Sequence, residues 1–360
     1  MSNLDRLMKK FPLHVDGAKV DALLIKSLNN RFYLNNFKSS EGFVFMTNTK
    51  AYFLVDSRYY ELANKCIENM TVLESSDLKT GLNEIVKKHD VKNILIENEE
   101  ITLSLASTLE GIAETLKFSI LKSNVLDKVM MSMREIKDNV EIEKIKKAQK
   151  ITEDAFNYIL SKIRVGVKEK DLALEIEFYM RKNGADSIAF DLIVLSGSNG
   201  SIPHGAPREN TVKNGDFITI DIGAVFEGYS SDMTRTVAIG EITEEQKSVY
   251  STVLKAQMKA LSKIKSGVSC LEVDRAARDV IDSSDYRGCF KHSIGHGIGI
   301  SVHERPRFSS DCILKPGMVI TVEPGIYIDE KLGVRIEDMV IVTETGYENL
   351  TYIPKDLIVI

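Results

Sequence analysis

The sequence predicts an α+β protein of two unequal domains, a smaller mixed α/β domain over residues 1–127 and a larger one over 128–360. Three observations predict it. At 360 residues the chain is longer than one typical domain. Its first third alternates short β-like runs with helical patterns, and from Ile136 it changes to long amphipathic helices followed by strand-rich sequence. Hydrophobic residues at 43% and charged residues at 28% describe an ordinary globular chain. A net charge of −5 leaves no basic footprint for nucleic acid, and four Cys exclude a disulfide scaffold. Met1–Lys10 leads into Phe11-Pro12 without an apolar signal region, and no run of about 18 apolar residues exists. The expectation is a soluble, cytoplasmic protein with no nucleic-acid or membrane partner.

Taken in order, Gly42–Met46 and Ala51–Val55 read as strands around the turn-rich Thr47–Lys50, a helical stretch covers Leu82–Lys88, and Val91–Ile96 is a further strand. His14 and His89 stand alone there, with no acid or Cys at ligand spacing. The polar stretch Ser123–Ser132 marks the expected boundary. Apolar residues from Ile136 through Val140, Ile145, Ala148, Ile151, Ala155 and Ile159 to Ile163 predict one long helix stopped near Gly166. Helices follow at Glu169–Arg181, Glu244–Lys263 and Cys270–Ile281. Strands at Asp216–Val225, Ser230–Ile239, Met318–Tyr327 and Gly333–Val342 pair off as two hairpins.

The hairpins carry the chemistry. Glu227-Gly228 is a turn signal, and Asp221 and Asp232 lie symmetrically about it, opposed or one residue out of register. Like charges placed opposite one another destabilise a sheet, so two Asp in apolar strand sequence call for a cation or a shared proton. Glu323 and Glu337 repeat the arrangement about Glu330. His296 sits in Gly295-His296-Gly297-Ile298-Gly299, where the glycines admit close backbone and leave the imidazole reachable. Four carboxylates and one His form a hard, oxygen-rich set that suits two divalent ions, Mn²⁺ above thiolate-preferring metals. Such a pair, about 3.5–4 Å apart, generates hydroxide and clamps a hydrolytic transition state. A structural zinc site on Cys289, His292, His296 and His303 would lack a paired CxxC and leave the carboxylates unexplained. Cys66, Cys270 and Cys312 read as buried small hydrophobes. His204 follows the loop Ser196–Ser201, which resembles a phosphate-binding turn but lacks the Gly-Lys-Ser/Thr ending. His303 stands in Val302-His303-Glu304-Arg305-Pro306, and both histidines suit proton or substrate handling.

Five ordered motifs now match a known family. Asp221-Ile222-Gly223-Ala224, Ser231–Thr236, Gly295–Gly299, Glu323-Pro324-Gly325-Ile326-Tyr327 and Val334–Asp338 resemble those of the pita-bread metallopeptidases of family M24. The closest likeness is to their proline-directed branch, the Xaa-Pro aminopeptidases and Xaa-Pro dipeptidases (prolidases). Arg31–Leu34 and Val55–Tyr59 look like that branch's smaller, creatinase-like N-terminal domain, which in the family serves dimerisation and walls the active site. The resemblance implies that Asp221 chelates one metal, that Asp232 and Glu337 bridge both, and that His296 and Glu323 hold the second. It implies two divalent ions per subunit (Mn²⁺, with Co²⁺ or Zn²⁺ as alternatives) and attack by a metal-bridging hydroxide on a Xaa-Pro bond. Glu323 would transfer protons, and His204 and His303 would contact substrate and stabilise the tetrahedral intermediate. His292 sits where the family also tends to carry His, and Arg335 would orient a carboxylate ligand. A homodimer and a proline-containing peptide substrate are the implied partners. The main expectation is an aminopeptidase that releases the residue before proline; the alternatives are a dipeptidase and, more remotely, a non-catalytic binding module. A dipeptidase needs a cation for the prolyl carboxylate, from Arg305, Arg307 or a partner subunit.

Overall fold

The apolar runs of the first third pair into one six-stranded mixed sheet, whose four central strands are buried along nearly their whole length. The computed structural model describes Met1–Ile360 and divides into two units, Met1–Arg134 and Glu135–Ile360. In the first unit, α1 (Asn3–Met8) and a short hairpin, β1 (His14–Val15) and β2 (Ala18–Lys19), precede the sheet. Its strands are β3 (Ala22–Ile25), β4 (Phe43–Thr47), β5 (Ala51–Val55), β6 (Thr71–Glu74), β7 (Asn93–Ile96) and β8 (Ser119–Lys122). The spatial order is β6-β5-β4-β3-β7-β8. The connecting helices are α2 (Leu28–Asn35), α3 (Ser57–Cys66), α4 (Leu78–Lys88) and α5 (Leu103–Leu116). Leu82, Ile85, Leu109 and Ile112 pack from α4 and α5 onto Leu24, Phe45 and Ile94 of the sheet.

The expected boundary at Ser123–Ser132 is instead the helix α6 (Val125–Glu135), and the units divide after Arg134 rather than after Asp127. Leu126, Met130 and Met133 bury one helical face, and the Asp127 carboxylate accepts the Asn98 and Glu99 backbone N–H groups at 2.9 and 3.0 Å. Polar composition hid a helix whose apolar face is narrow. Cys66 is also corrected, since it ends α3 exposed; Cys270 is buried and Cys312 half-buried.

The long helix expected from Ile136 starts at Asn139, as α7 (Asn139–Leu160), because Asp138 is a better cap than helix residue. Its side chain accepts from Val140 N and Glu141 N, and Glu141 returns a bond from Asp138 N, a complete capping box. Next come α8 (Glu169–Lys182), β9 (Ser187–Ile188) and β10 (Ile193–Ser196). The first hairpin is broken into β11 (Phe217–Ile222), β12 (Ala224–Phe226), β13 (Tyr229–Ser230) and β14 (Met233–Ala238). Then α9 (Glu244–Leu261), α10 (Cys270–Asp282), β15 (His296–Gly297) and β16 (Glu304–Arg307) lead to the second hairpin. That hairpin is broken likewise, into β17 (Val319–Val322), β18 (Gly325–Ile328), β19 (Leu332–Arg335) and β20 (Asp338–Val342), with β21 (Tyr347–Asn349) at its edge. Each hairpin is backed by a helix pair. Ile151, Phe156, Leu172 and Ile176 of α7 and α8 pack on Ile218, Ile220 and Val237, while Val249, Val253, Val273 and Ala277 of α9 and α10 pack on Ile320, Ile326 and Val340.

The register of the first hairpin differs from the expectation. Phe226 pairs with Tyr229 around a two-residue loop, Glu227 and Gly228, both with positive φ (46° and 82°). Asp221 therefore pairs with Thr234, not with Asp232. In the second hairpin Val322 pairs with Asp338 and Gly325 with Arg335, the register that sets Glu323 against Glu337. No helix of the molecule is long and apolar enough to cross a membrane.

Candidate functional site

Acidic residues fall at or beside the breaks in both hairpins. Asp221 is the penultimate residue of β11, Asp232 separates β13 from β14, Glu323 follows β17 and Glu337 precedes β20. All four open into one cavity of about 700 Å³ in the second unit, together with His204, His292, His296, His303 and Arg335. These nine, the residues expected to hold metal or serve the reaction, thus line one cavity. The rest of the wall is largely apolar, including Phe190, Leu192, Val302 and Phe308.

His296 is held by close backbone packing. A Cβ on Gly295 would lie 2.1 Å from the Thr321 carbonyl oxygen, and one on Gly297 would lie 2.0 Å from that of Arg305, so neither neighbour tolerates a side chain. The His296 Nδ1–H donates to the Gly297 carbonyl at 3.1 Å, which leaves Nε2 as an acceptor. That atom stands 3.6 Å from Asp232 Oδ2 and 3.4 Å from Glu323 Oε1. The His303 ring lies edge-on to it, with centroids 4.3 Å apart.

The carboxylates are short of positive charge. Burial, then the neighbouring Glu337, Asp221 and Glu323, holds the Asp232 carboxyl well above its ordinary range. Burial and then Glu323 and Asp221 do the same to Glu337, and burial pushes Glu323 up to about 8. Arg335 is the buried cation facing them, with its guanidinium on Asp221 Oδ2. The same side chain donates to Tyr327 Oη at 2.7 Å, to Thr234 Oγ1 at 3.1 Å and to the Pro203 carbonyl at 3.3 Å. Asp221 Oδ1 and Glu337 Oε1 are buried without any hydrogen-bond partner, a costly state for carboxylate oxygens. Donor atoms of Asp232, His296 and Glu337 all lie within 4.8 Å of one another. Orphaned hard oxygens beside an imidazole nitrogen, with mutual repulsion that a cation would relieve, fit one or more divalent ions.

His292 and His303 are both held below the ordinary imidazole range. Burial, followed by the charge of Arg335, lowers His292 to about 4, and its Nδ1–H donates to the Ser293 carbonyl at 2.8 Å. Its Nε2 meets Tyr327 Oη at 2.9 Å, so a chain of contacts runs from His292 through Tyr327 and Arg335 to Asp221. Burial also lowers His303, with His204 nearby. These bonds occupy His292 and leave the structural zinc arrangement without a basis.

Three participants were given no role in the sequence reading. Tyr327 closes the quoted Glu-Pro-Gly-Ile-Tyr motif, four residues beyond Glu323, an even spacing that puts both on one face of the strand the sequence predicts. Thr234 pairs with Asp221 and donates from Oγ1 to Glu337 Oε2 at 2.7 Å, which links the hairpins; only the true register identifies it. Arg235 beneath it donates to the Glu337 carbonyl and pairs with Asp338 at 2.8 Å.

Comparison with known proteins agrees with this geometry. The model of metallopeptidase family M24 matches residues 143–344, and that of the creatinase/prolidase N-terminal domain matches residues 8–136. The Xaa-Pro dipeptidase of Pyrococcus horikoshii is 36% identical over 364 residues, 99% of this chain and 100% of its own. Among solved structures, the Xaa-Pro dipeptidase from Bacillus anthracis superposes with a TM-score of 0.89 at 40% identity, over 95% of each chain. The X-Pro aminopeptidase from Thermotoga maritima gives 0.88 at 38% identity, over 95% of this chain and 98% of its own. With a creatinase/prolidase N-terminal domain ahead of its catalytic unit, the chain belongs to metallopeptidase family M24.

Proposed function

We propose that this metallopeptidase is a Xaa-Pro dipeptidase, in place of the aminopeptidase that the sequence analysis put first. The observation that carries the proposal is Arg307. It pairs with His296 across β15 and β16 and lines the cavity, whereas Arg305 does not. A dipeptide ends in a carboxylate on its prolyl residue, and a guanidinium binds a carboxylate in a two-point fork. A longer peptide has a neutral amide at that place. The dipeptidase names of the Pyrococcus horikoshii and Bacillus anthracis relatives support the same reading.

Asp221, Asp232, His296, Glu323 and Glu337 would hold two divalent ions, for which the hard donor set favours Mn²⁺. When bound, such ions supply Lewis-acid polarisation of the scissile carbonyl and a lowered pKa for water. The chain's own residues do the rest. Glu323, whose Oε1 stands 3.4 Å from His296 Nε2 in the cavity wall, is the carboxylate placed to take up a proton and pass it to the leaving prolyl nitrogen. His204 and His303 face the cavity as donors suited to a developing oxyanion. Arg335 keeps Asp221 oriented, with Tyr327 and Thr234 fixing the guanidinium in turn. Phe190, Leu192, Val302 and Phe308 exclude water around the reacting bond. The homodimer and cytoplasmic location implied by the resemblance belong to this reading; sedimentation and cell fractionation test them.

Turnover of Xaa-Pro against Xaa-Pro-Zaa by Mn²⁺-loaded protein tests the proposal. The dipeptide is expected to be preferred, and Arg307→Ala to raise its KM about tenfold or more with a smaller change in kcat. Equal or faster cleavage of Xaa-Pro-Zaa by the natural protein would return the aminopeptidase reading to first place.

A further inference from the structure

Glu169 is a fully buried carboxylate that the reaction as described does not use. It opens α8 and is 0% exposed. Oε1 accepts the Ser196 backbone N–H at 2.6 Å and the Ser196 hydroxyl at 3.0 Å. Oε2 accepts Asn199 Nδ2–H at 2.8 Å and the Arg208 backbone N–H at 3.1 Å. Two further backbone bonds lie alongside, from Glu169 N–H to the Asn210 carbonyl at 3.0 Å and from Lys170 N–H to that of Arg208 at 3.2 Å.

The identity of the four donors matters. Ser196 ends β10, and Arg208 lies just beyond the segment that carries His204 into the cavity. One side chain therefore ties both ends of the loop together at its neck. Farther along, Gly200 packs on the backbone of Gly333, and Arg335 takes the Pro203 carbonyl immediately before His204. An apolar residue would fill a buried helix start at lower cost, because a buried carboxylate is tolerated only when its oxygens are satisfied. Here the donors all come from one loop, and the N-terminus of α8 favours the negative charge. A cross-link with that geometry orders the loop, not the core.

We propose that Glu169 is a positioning residue that acts through the Ser196–Arg208 loop to hold the His204 imidazole in its working place. The proposal rests on the reading that His204 serves the reaction. A side chain that positions another loses its effect when the other is gone, whereas one that merely supports the fold acts additively.

The test is a double-mutant cycle on the full-length, Mn²⁺-loaded protein with an Ala-Pro dipeptide. Glu169→Gln replaces one acceptor oxygen with an NH₂ that faces donors. It is expected to lower kcat by about tenfold or more with a much smaller change in KM, as displacement of a reacting group does. In the His204→Ala background the same substitution is expected to change kcat less than about twofold. In ¹⁵N-histidine spectra of metal-free protein, the His204 signal should shift or broaden in Glu169→Gln while those of His14 and His89 stay in place. If Glu169→Gln does not fold, Asn199→Ala and Ser196→Ala each remove one donor and enter the same cycle. A natural kcat in Glu169→Gln, or equal losses in both backgrounds, overturns the proposal and leaves the role of His204 standing. A natural kcat in His204→Ala overturns the reading of His204 and the proposal with it.

Discussion

The two hairpins of the catalytic unit present the same kind of acid pair on different registers. In the second, a three-residue loop between Ile328 and Leu332 places Glu323 against Glu337. In the first, the two-residue loop between Phe226 and Tyr229 moves the partner of Asp221 to Thr234 and leaves Asp232 as its diagonal neighbour. The shift is two residues, so Asp232 stays on the face it was expected to occupy; a shift of one would have turned it away. A site built from strand carboxylates therefore tolerates even register changes. What it gains is a hydroxyl, Thr234, at the place where a second carboxylate would have met Asp221.

The hairpins also support one another, each with a buried arginine. The second supplies Arg335, whose charge serves Asp221 of the first. The first returns a neutral bond from Thr234 to Glu337 and the Arg235 contact to the Glu337 carbonyl. Thr236 Oγ1 completes the seam, donating to the Arg335 carbonyl at 3.0 Å and receiving its N–H at 3.2 Å. Charge crosses the seam in both directions, from Arg335 to Asp221 and from Arg235 to Asp338.

Removing an acid from the first hairpin should break the comparison most severely. Asp232→Asn is expected to lower kcat/KM by at least about 10³-fold while raising the Tm of metal-free protein, because one of several mutually repelling buried carboxylates is gone. Peptide assays and calorimetry on metal-stripped samples read both effects, and a Tm that falls would show the repulsion to be unimportant. Next in size is Arg335→Lys. A point charge cannot span Asp221, Tyr327 and Thr234, so a loss of about 10–100-fold in activity or metal affinity is expected, with a lower Tm of the metal-free protein. Retention of full metal affinity would mean that Asp221 needs no orienting partner.

The smallest effect concerns pH. Burial holds the folded His292 imidazole near 4, below its ordinary 6.5, so the unfolded chain takes up this proton first on acidification. Its contribution to stability is whole above about pH 6.5 and shrinks as pH falls toward about 4. Urea unfolding of metal-free protein between pH 4 and 7 should therefore show a shallower acid-side decline for His292→Gln than for the natural chain. Parallel curves would contradict it.

How much could be read in advance differs by kind of feature. Helices α9 and α10 are legible because period and N-cap coincide in their sequence, and α8 because its period runs to the Asn183-Gly184 stop. The start of α7 was missed because apolar Ile136 continues the helical period, although Asp138 and Glu141 form a capping box. Helix α6 was missed because its buried face is narrow and its surface polar. At the site, all nine chosen residues line the cavity, yet Thr234 and Tyr327 went unassigned. Their roles depend on which strand lies beside which, and Arg307 could not be told from Arg305 before the path of β16 was known.

By itself the sequence determined the donor types, their strand faces and the glycines around His296, because side-chain period and the space a Cβ needs are local properties. Only the tertiary structure decided that Arg335 would answer Asp221, that Thr234 would hold Glu337, and that Glu169 would close the loop of His204. Those are long-range contacts, chosen by the cost of leaving buried charges and donors unpaired once the strands have docked.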